Sequence, residues 1–321
     1  MSTYKEINGQ KVQYLASDPP NSHAGQVWYN STSGSLKFNA GAAGSVWVTG
    51  GNLNIGRGDG GGVGTATDAL SFQGQQPASP GYANATESYN GTSWTTQPTT
   101  NTRVFQLGQS GTSTSALGFG GYVPGSRTTA TESYNGSSWT TQPTMTTARY
   151  GLGGVGASNT EALGFGGYTT SFSANATESY NGSWTNSPNM VKGGSGIMGT
   201  GTVTATLAAG GSTYPDVGSV TASESYNGSW TSLNTMPTPR IRGGMTGTTT
   251  AAVIFGGSSN VNNVYDGTNW TTSATLNTGH PESQGRAGSS NTNALIFGGA
   301  SGIDTTESLR STGGIRELTV S

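Results

Sequence analysis

The 321-residue sequence predicts an all-β fold built from six copies of one four-stranded unit, and three observations carry that prediction. Trp recurs at positions 47, 94, 139, 184, 230 and 270, with spacings of 47, 45, 45, 46 and 40 residues. An apolar run ending in glycine follows each Trp, its last glycine 27 to 29 residues on: Leu70-Ser-Phe-Gln-Gly74, Leu117-Gly-Phe-Gly-Gly121, Leu163-Gly-Phe-Gly-Gly167, Leu207-Ala-Ala-Gly-Gly211, Val253-Ile-Phe-Gly-Gly257 and Leu295-Ile-Phe-Gly-Gly299. Between these signals lie Glu87-Ser-Tyr-Asn-Gly91, Glu132-Ser-Tyr-Asn-Gly136, Glu178-Ser-Tyr-Asn-Gly182 and Glu224-Ser-Tyr-Asn-Gly228, decaying to Asn263-Val-Tyr-Asp-Gly267 and Glu307-Ser-Leu309. Self-similarity at about 45 residues without helical periodicity is the pattern of a β-propeller, whose blades are four-stranded sheets arrayed around an axis.

In chain order, residues 1–45 stand outside the repeat, and Gly25 to Phe38 reads as a hairpin: alternating strand, Ser/Thr/Gly turn, alternating strand. Each repeat then begins with a small-residue stretch such as Gly151-Leu-Gly-Gly-Val-Gly156, suited to an innermost strand where backbones converge. The apolar run is the second strand, buried between neighbouring blades. Ser-Tyr makes the third, and Asn-Gly is the turn of a hairpin because both residues tolerate positive φ. The Trp strand completes the sheet. The chain ends irregularly at Glu307 to Arg310 and Ile315 to Val320, so a strand from elsewhere, with Trp47 as the candidate, is expected to close the ring and protect its sheet edges.

The Gly-Gly after an apolar strand, the Tyr six or more residues later and the Trp about five residues beyond it resemble the kelch repeat over residues 46–321. That resemblance implies a six-bladed kelch-type β-propeller with a short N-terminal extended arm and hairpin at 1–45. It implies little about activity, since propellers host enzymes, adaptors and adhesins. The sialidase Asp-box is a poorer match: Ser88-Tyr-Asn-Gly-Thr-Ser-Trp94 has Asn for Asp and is one residue short.

Charged residues are 9% of the chain, glycine numbers 54 and the net charge is −2, so no basic patch suggests nucleic acid and the periodic aromatics argue against a disordered polymer. No cysteine is present, which excludes disulfides, a thiol nucleophile and the crosslinked copper site of galactose oxidase. Residues 1–20 lack the apolar core of a secretory signal, and no stretch approaches a membrane span. With only His23 and His280, both expected in surface or loop positions, a His-based metal site or a Ser-His-Asp triad is poorly supplied. No catalytic residue, cofactor or metal is therefore expected.

Arg57, Arg103, Arg149 and Arg240, with Lys192 standing in once, recur 8 to 10 residues after each Trp, and Glu87, Glu132, Glu178, Glu224 and Glu307 are as regular. A residue repeated in every copy serves the repeat, so the Glu series is expected to satisfy loop amides or to pair with Arg. A ring of positive charge at one channel mouth, binding an anion, is the functional alternative. The Asn-Gly-Ser/Thr triplets at Asn90, Asn135, Asn181 and Asn227 also spell glycosylation acceptors but read first as hairpin turns.

Function is expected where the copies differ, in the loops between Gly-Gly and Glu-Ser-Tyr, which emerge on one face of a propeller. Tyr122, Arg127, Tyr168, Phe172, Tyr214 and Asp216 lie there and suit recognition of sugars or protein loops, with rings that stack among small polar residues. The pattern Gly25-x-Val-Trp-Tyr-Asn30, then Ser35-Leu-Lys-Phe38 and a later Trp47, resembles segments of bacteriophage tail and fibre proteins. Thr3-Tyr-Lys-Glu-Ile-Asn-Gly9 with Ala16-Ser-Asp-Pro-Pro20 resembles the start of kelch-like virion proteins of marine tailed phages. The resemblance implies a non-enzymatic virion protein on the tail or its fibres, in multiple copies, docked to other virion proteins through Tyr4, Ile7, Val12 and Tyr14 of the arm, with no nucleic acid partner and no membrane insertion. Its loop face would meet a host-surface glycan or protein. A capsid-decorating or connector role, and a glycan-active enzyme on a propeller scaffold, are the other readings.

Overall fold

The computed structural model describes residues 12–19, 26–39, 45–76, 81–170, 172–213, 218–281, 285–311 and 315–317. The chain forms two compact units, 1–46 with 311–321, and 47–310.

The smaller unit is a four-stranded sheet ordered Gln13–Leu15, Val27–Asn30, Ser35–Asn39, Ile315–Glu317. The first pair is parallel and the others antiparallel, so Ile315–Glu317, expected with the repeat, instead covers the free edge of the hairpin. Asp18 ties it together: its carboxylate accepts from Trp28 Nε1 at 3.0 Å, Asn30 Nδ2 at 2.7 Å and Lys37 Nζ at 3.2 Å, and Trp28 is fully buried.

The larger unit is all-β and propeller-like, its described residues forming six four-stranded antiparallel sheets with a single 3-10 turn at Ala300–Gly302. The first sheet runs Gly61–Thr65, Asp68–Phe72, Thr86–Tyr89, Trp94–Gln97. The next four repeat that order, from Gly108–Thr112, Gly153–Ser158, Met198–Thr202 and Gly244–Gly247 outward to their Trp strands. The sixth is composite: Arg286–Ser290, Asn293–Phe297 and Thr306–Ser311 take Ser45–Thr49, with Trp47, as their outer strand. Each glycine-rich first strand neighbours the next in sequence, and the sixth neighbours the first. Glycine is required there: a Cβ on Gly154 would lie 2.5 Å from the Gln109 amide nitrogen of the adjacent sheet.

The repeat signals become contacts between sheets. Trp94, Trp139, Trp184 and Trp230 donate from Nε1 to the hydroxyls of Thr306, Thr86, Thr131 and Thr177 at 2.9–3.0 Å, and Trp270 donates to Ser223 at 3.2 Å, each acceptor lying one sheet back. Four of these indoles, all but Trp270, pack on the Phe of the preceding apolar run, as in Trp139 on Phe72 at 4.9 Å and Trp184 on Phe119 at 4.8 Å between ring centroids. The first sheet therefore grips the sixth as the second grips the first, 212 residues apart in sequence for Trp94 and Thr306.

The Glu of Glu-Ser-Tyr is buried and reaches the loop that leads into its own sheet. Glu87, Glu132, Glu178, Glu224 and Glu307 accept the backbone N–H of Asn54, Asn101, Thr146, Val191 and Asn277 at 2.7–2.9 Å. Arg57 and Arg149 complete two of these sockets as buried ion pairs, at 2.8 and 3.0 Å. His280 completes a third: expected in a surface or loop position, it lies between strands but is buried, 3.2 Å from Glu307, because it occupies the position that Arg57 and Arg149 hold elsewhere. Arg103 and Lys192 are exposed, one and two residues short of that position, and Lys192 contributes to its socket only its backbone N–H, which donates to Glu224 at 2.9 Å.

Candidate functional site: an aromatic strip beside the inner-strand collar

Just before each inner strand the chain passes through one left-handed residue: Asp59, Gln106, Gly151, Gly196 and Arg242, with φ from 51° to 66°. These residues hand hydrogen bonds from sheet to sheet, Gln106 N–H to Asp59 carbonyl at 2.7 Å, Gly151 to Gln106 at 2.7 Å, Gly196 to Gly151 at 2.6 Å and Arg242 to Gly196 at 3.0 Å. The result is a backbone collar around one end of the inner strands; the equivalent position of the sixth sheet lies outside the described residues. Within the collar, Gln106 Nε2 donates to Asp59 Oδ2 at 2.7 Å, and Arg242 Nη1 stands 3.9 Å from the same oxygen.

The residue preceding each collar position pairs with the residue just after Gly-Gly: Gly58 with Gln75, Phe105 with Tyr122, Tyr150 with Tyr168, Ser195 with Ser212. In the second and third sheets both members are aromatic. Tyr82, bridged to Gln75, extends the row from the first sheet. Five rings follow one another, Tyr82 to Phe105 at 5.2 Å, Phe105 to Tyr122 at 5.5 Å, Tyr122 to Tyr150 at 5.3 Å and Tyr150 to Tyr168 at 5.4 Å between centroids. All are half-buried, so each keeps ring surface available. Arg127 lies over the last two, its guanidinium carbon 5.8 Å from the Tyr150 ring and 5.3 Å from the Tyr168 ring, a cation–π arrangement that fixes it without a carboxylate partner among the described residues. Neither of its Nη atoms bonds a described protein group, which leaves the flat end of the fork free for a carbonyl, hydroxyl or acid. Burial raises the Tyr150 hydroxyl above its ordinary range, with Arg127 opposing, so it is a hydrogen-bond donor at neutral pH.

Two short hairpins carry this chemistry. Tyr122–Val123 pairs with Ser126–Arg127 and Tyr168–Thr169 with Phe172–Ser173, placing Tyr122 opposite Arg127. Three of the six expected ligand-binding residues, Tyr122, Arg127 and Tyr168, are thus brought together on adjacent sheets. Phe172 is on the neighbouring hairpin strand; Tyr214 and Asp216 fall outside the described residues. Tyr82, Phe105 and Tyr150 belong to the strip although sequence reasoning passed over them. For Phe105 and Tyr150 the signal was the repeat position before the collar, filled elsewhere by Gly58, Ser195 and Ile241; Tyr82, in a loop, carries no such signal.

Of the expected attachment residues, Tyr4 and Ile7 lie outside the described residues. Val12 and Tyr14 are 51% and 74% exposed, and Tyr14 stacks on Tyr29 at 4.6 Å, so the smaller unit shows an apolar edge of its own.

No family model and no curated protein matches this chain, so the chemistry of the strip rests on its own residues. A row of rings with one stacked, unpaired guanidinium can grip a flat, hydroxyl-rich or acidic ligand by stacking and hydrogen bonding.

Proposed function

We propose that this chain is a non-enzymatic virion structural protein of a tailed bacteriophage, a six-bladed kelch-type propeller held on the tail or its fibres by its N-terminal segment. It uses the aromatic strip to recognise a glycan or protein on the host surface. The cyclic order of inner strands and the Trp94–Thr306 link favour a closed ring of six blades. The observation that carries the recognition reading is the run of rings from Tyr82 to Tyr168, with Arg127 over its last two. Asp59, the acid of the collar, is held by Gln106 and Arg242 and is placed to brace the loops.

The test is binding of the purified chain to an immobilised panel of bacterial surface polysaccharides and envelope proteins. Tyr150→Ala removes the central ring and is expected to weaken binding at least about tenfold, the effect of losing a hot-spot aromatic. Thr140→Ala, on an exposed outer-strand position, leaves it unchanged. Equal binding by Tyr150→Ala and the native chain would remove the strip from recognition and leave a connector or decorating role.

A further inference from the structure

The inner strands line an open axial cavity of about 120 Å³, with residues from all six first strands. At the second position of the first five strands stand Gly62, Gln109, Gly154, Gly199 and Met245, and the sixth strand opens on Arg286 in the same lining, so one copy in six contributes a charge. Arg286 is 9% exposed, and its side chain crosses the axis: Nη2 donates to the carbonyls of Gly199 at 3.2 Å and Gly154 at 3.5 Å on the fourth and third sheets. Its Nε and Nη1 bond no described protein group, and no acidic residue lines the cavity. Burial pushes the guanidinium down only to about 10, so it stays charged at neutral pH.

A buried cation whose protein partners are two carbonyl oxygens, at 3.2 and 3.5 Å, is incompletely compensated. Arg57 and Arg149, by contrast, each face a Glu, at 2.8 and 3.0 Å, whereas Arg240 meets three carbonyls, those of Gly256, Ser259 and Val261. One ordered water needs roughly 10–15 Å³ of such volume. The axial space therefore accommodates a small anion together with several waters.

We propose that the axial cavity is a binding site for one small monovalent anion of the halide class, held by Arg286 through Nε or Nη1 and shared by all six sheets. The anion neutralises the only charge among the described lining residues and couples the sixth sheet to the third and fourth, so its occupancy stabilises the assembled unit by mass action. The site is independent of the aromatic strip and of the recognition reading.

The test uses the full chain in sodium gluconate, chloride and bromide at equal ionic strength. Chloride and bromide are expected to raise the melting temperature over bulky gluconate by about 2–4 °C, and Arg286→Met is expected to abolish that difference. A crystal grown in bromide should show one anomalous peak within hydrogen-bond distance of the Arg286 guanidinium. The crystal needs no variant, so it decides the matter even where Arg286→Met fails to fold. An equal halide shift in Arg286→Met, or no bromide beside Arg286, overturns the proposal.

Discussion

The third and fifth sheets share one plan and fill it differently. In the third, Glu178 accepts the Thr146 N–H at 2.7 Å and pairs with Arg149 at 3.0 Å, and Arg149 also donates to the carbonyls of Gly166 and Ala176. In the fifth, Asn263 stands for the Glu and Pro237 for the Thr, so the acceptor and its backbone donor are lost together. Arg240 remains and turns to carbonyls, Gly256 at 2.6 Å, Ser259 at 2.9 Å and Val261, while burial with no opposing acid pushes it down to about 10. Both Asn263 side-chain heteroatoms are buried without a hydrogen-bond partner. The neighbouring Trp contact changes too: Asn262 takes the place of the Thr that receives an indole elsewhere, and Trp47 Nε1 is left without an acceptor. The repeat is therefore a set of coupled choices rather than a row of independent positions. The acidic acceptor and its backbone donor are dropped together, while the cation is kept at Arg240.

Breaking the socket where it is complete should cost most. Glu178→Ala leaves Arg149 charged and buried and the Thr146 amide unpaired, and removal of one partner of a buried pair costs about 3–5 kcal/mol. Urea unfolding of this variant should show that loss in its midpoint with little change in slope. A loss below about 1 kcal/mol would mean that Glu178 is dispensable, as Glu is in the fifth sheet, and that the two sheets do not differ in kind.

The sixth sheet sharpens the comparison because His280 stands in the place of the arginine. Burial alone would raise the Glu307 carboxyl, but hydrogen bonds from His280 and from the amides of Asn277 and Thr278 outweigh it and hold the group below its ordinary 4.5. A carboxyl depressed on folding adds stability that is present above its unfolded pKa and fades as pH falls through its folded value. Glu307→Gln should therefore cost about 1.5–3 kcal/mol near neutrality, the worth of hydrogen bonds to a charged group, with the gap from the native chain narrowing as pH falls below 4.5. Melting curves at pH 7 and in the acid range measure that gap. A gap that widens on acidification would contradict the depressed carboxyl.

Much of this was legible in the sequence. The Trp, Gly-Gly and Glu-Ser-Tyr signals recur because each makes the same contact in successive copies, so strand order and the acceptor role of Glu87 or Glu178 follow from period alone. The strip was half legible: Tyr122, Arg127 and Tyr168 sit in segments whose length and content vary, whereas Phe105 and Tyr150 occupy a position that looks like ordinary strand entry until the collar brings it against the loop. Arg286 was invisible to the same logic. A residue present once in six copies carries no periodic signal, and only the convergence of the inner strands turns a lone Arg into the one charge among the described residues of a shared lining. His280 misled because a single histidine off the Arg register of Arg103 and Lys192 does not declare that it holds the place of Arg57 and Arg149.

The smallest effect tests whether the fifth sheet can be returned to the common plan. Asn263→Glu alone puts a carboxylate near Arg240 but meets no N–H at Pro237. Pro237→Asn alone restores the N–H, loosens the unfolded chain by about 0.4–1 kcal/mol and offers it only the neutral Asn263 amide. Together they rebuild donor, acceptor and cation as in the third sheet, so the double variant should be more stable than the sum of the singles by about 1 kcal/mol, within the range of contacting pairs. A double-mutant cycle by urea unfolding reads that coupling directly. Additivity to within about 0.5 kcal/mol would show that Pro237 and Asn263 drifted separately, and the contrast between the sheets would then be two unrelated losses rather than one exchange.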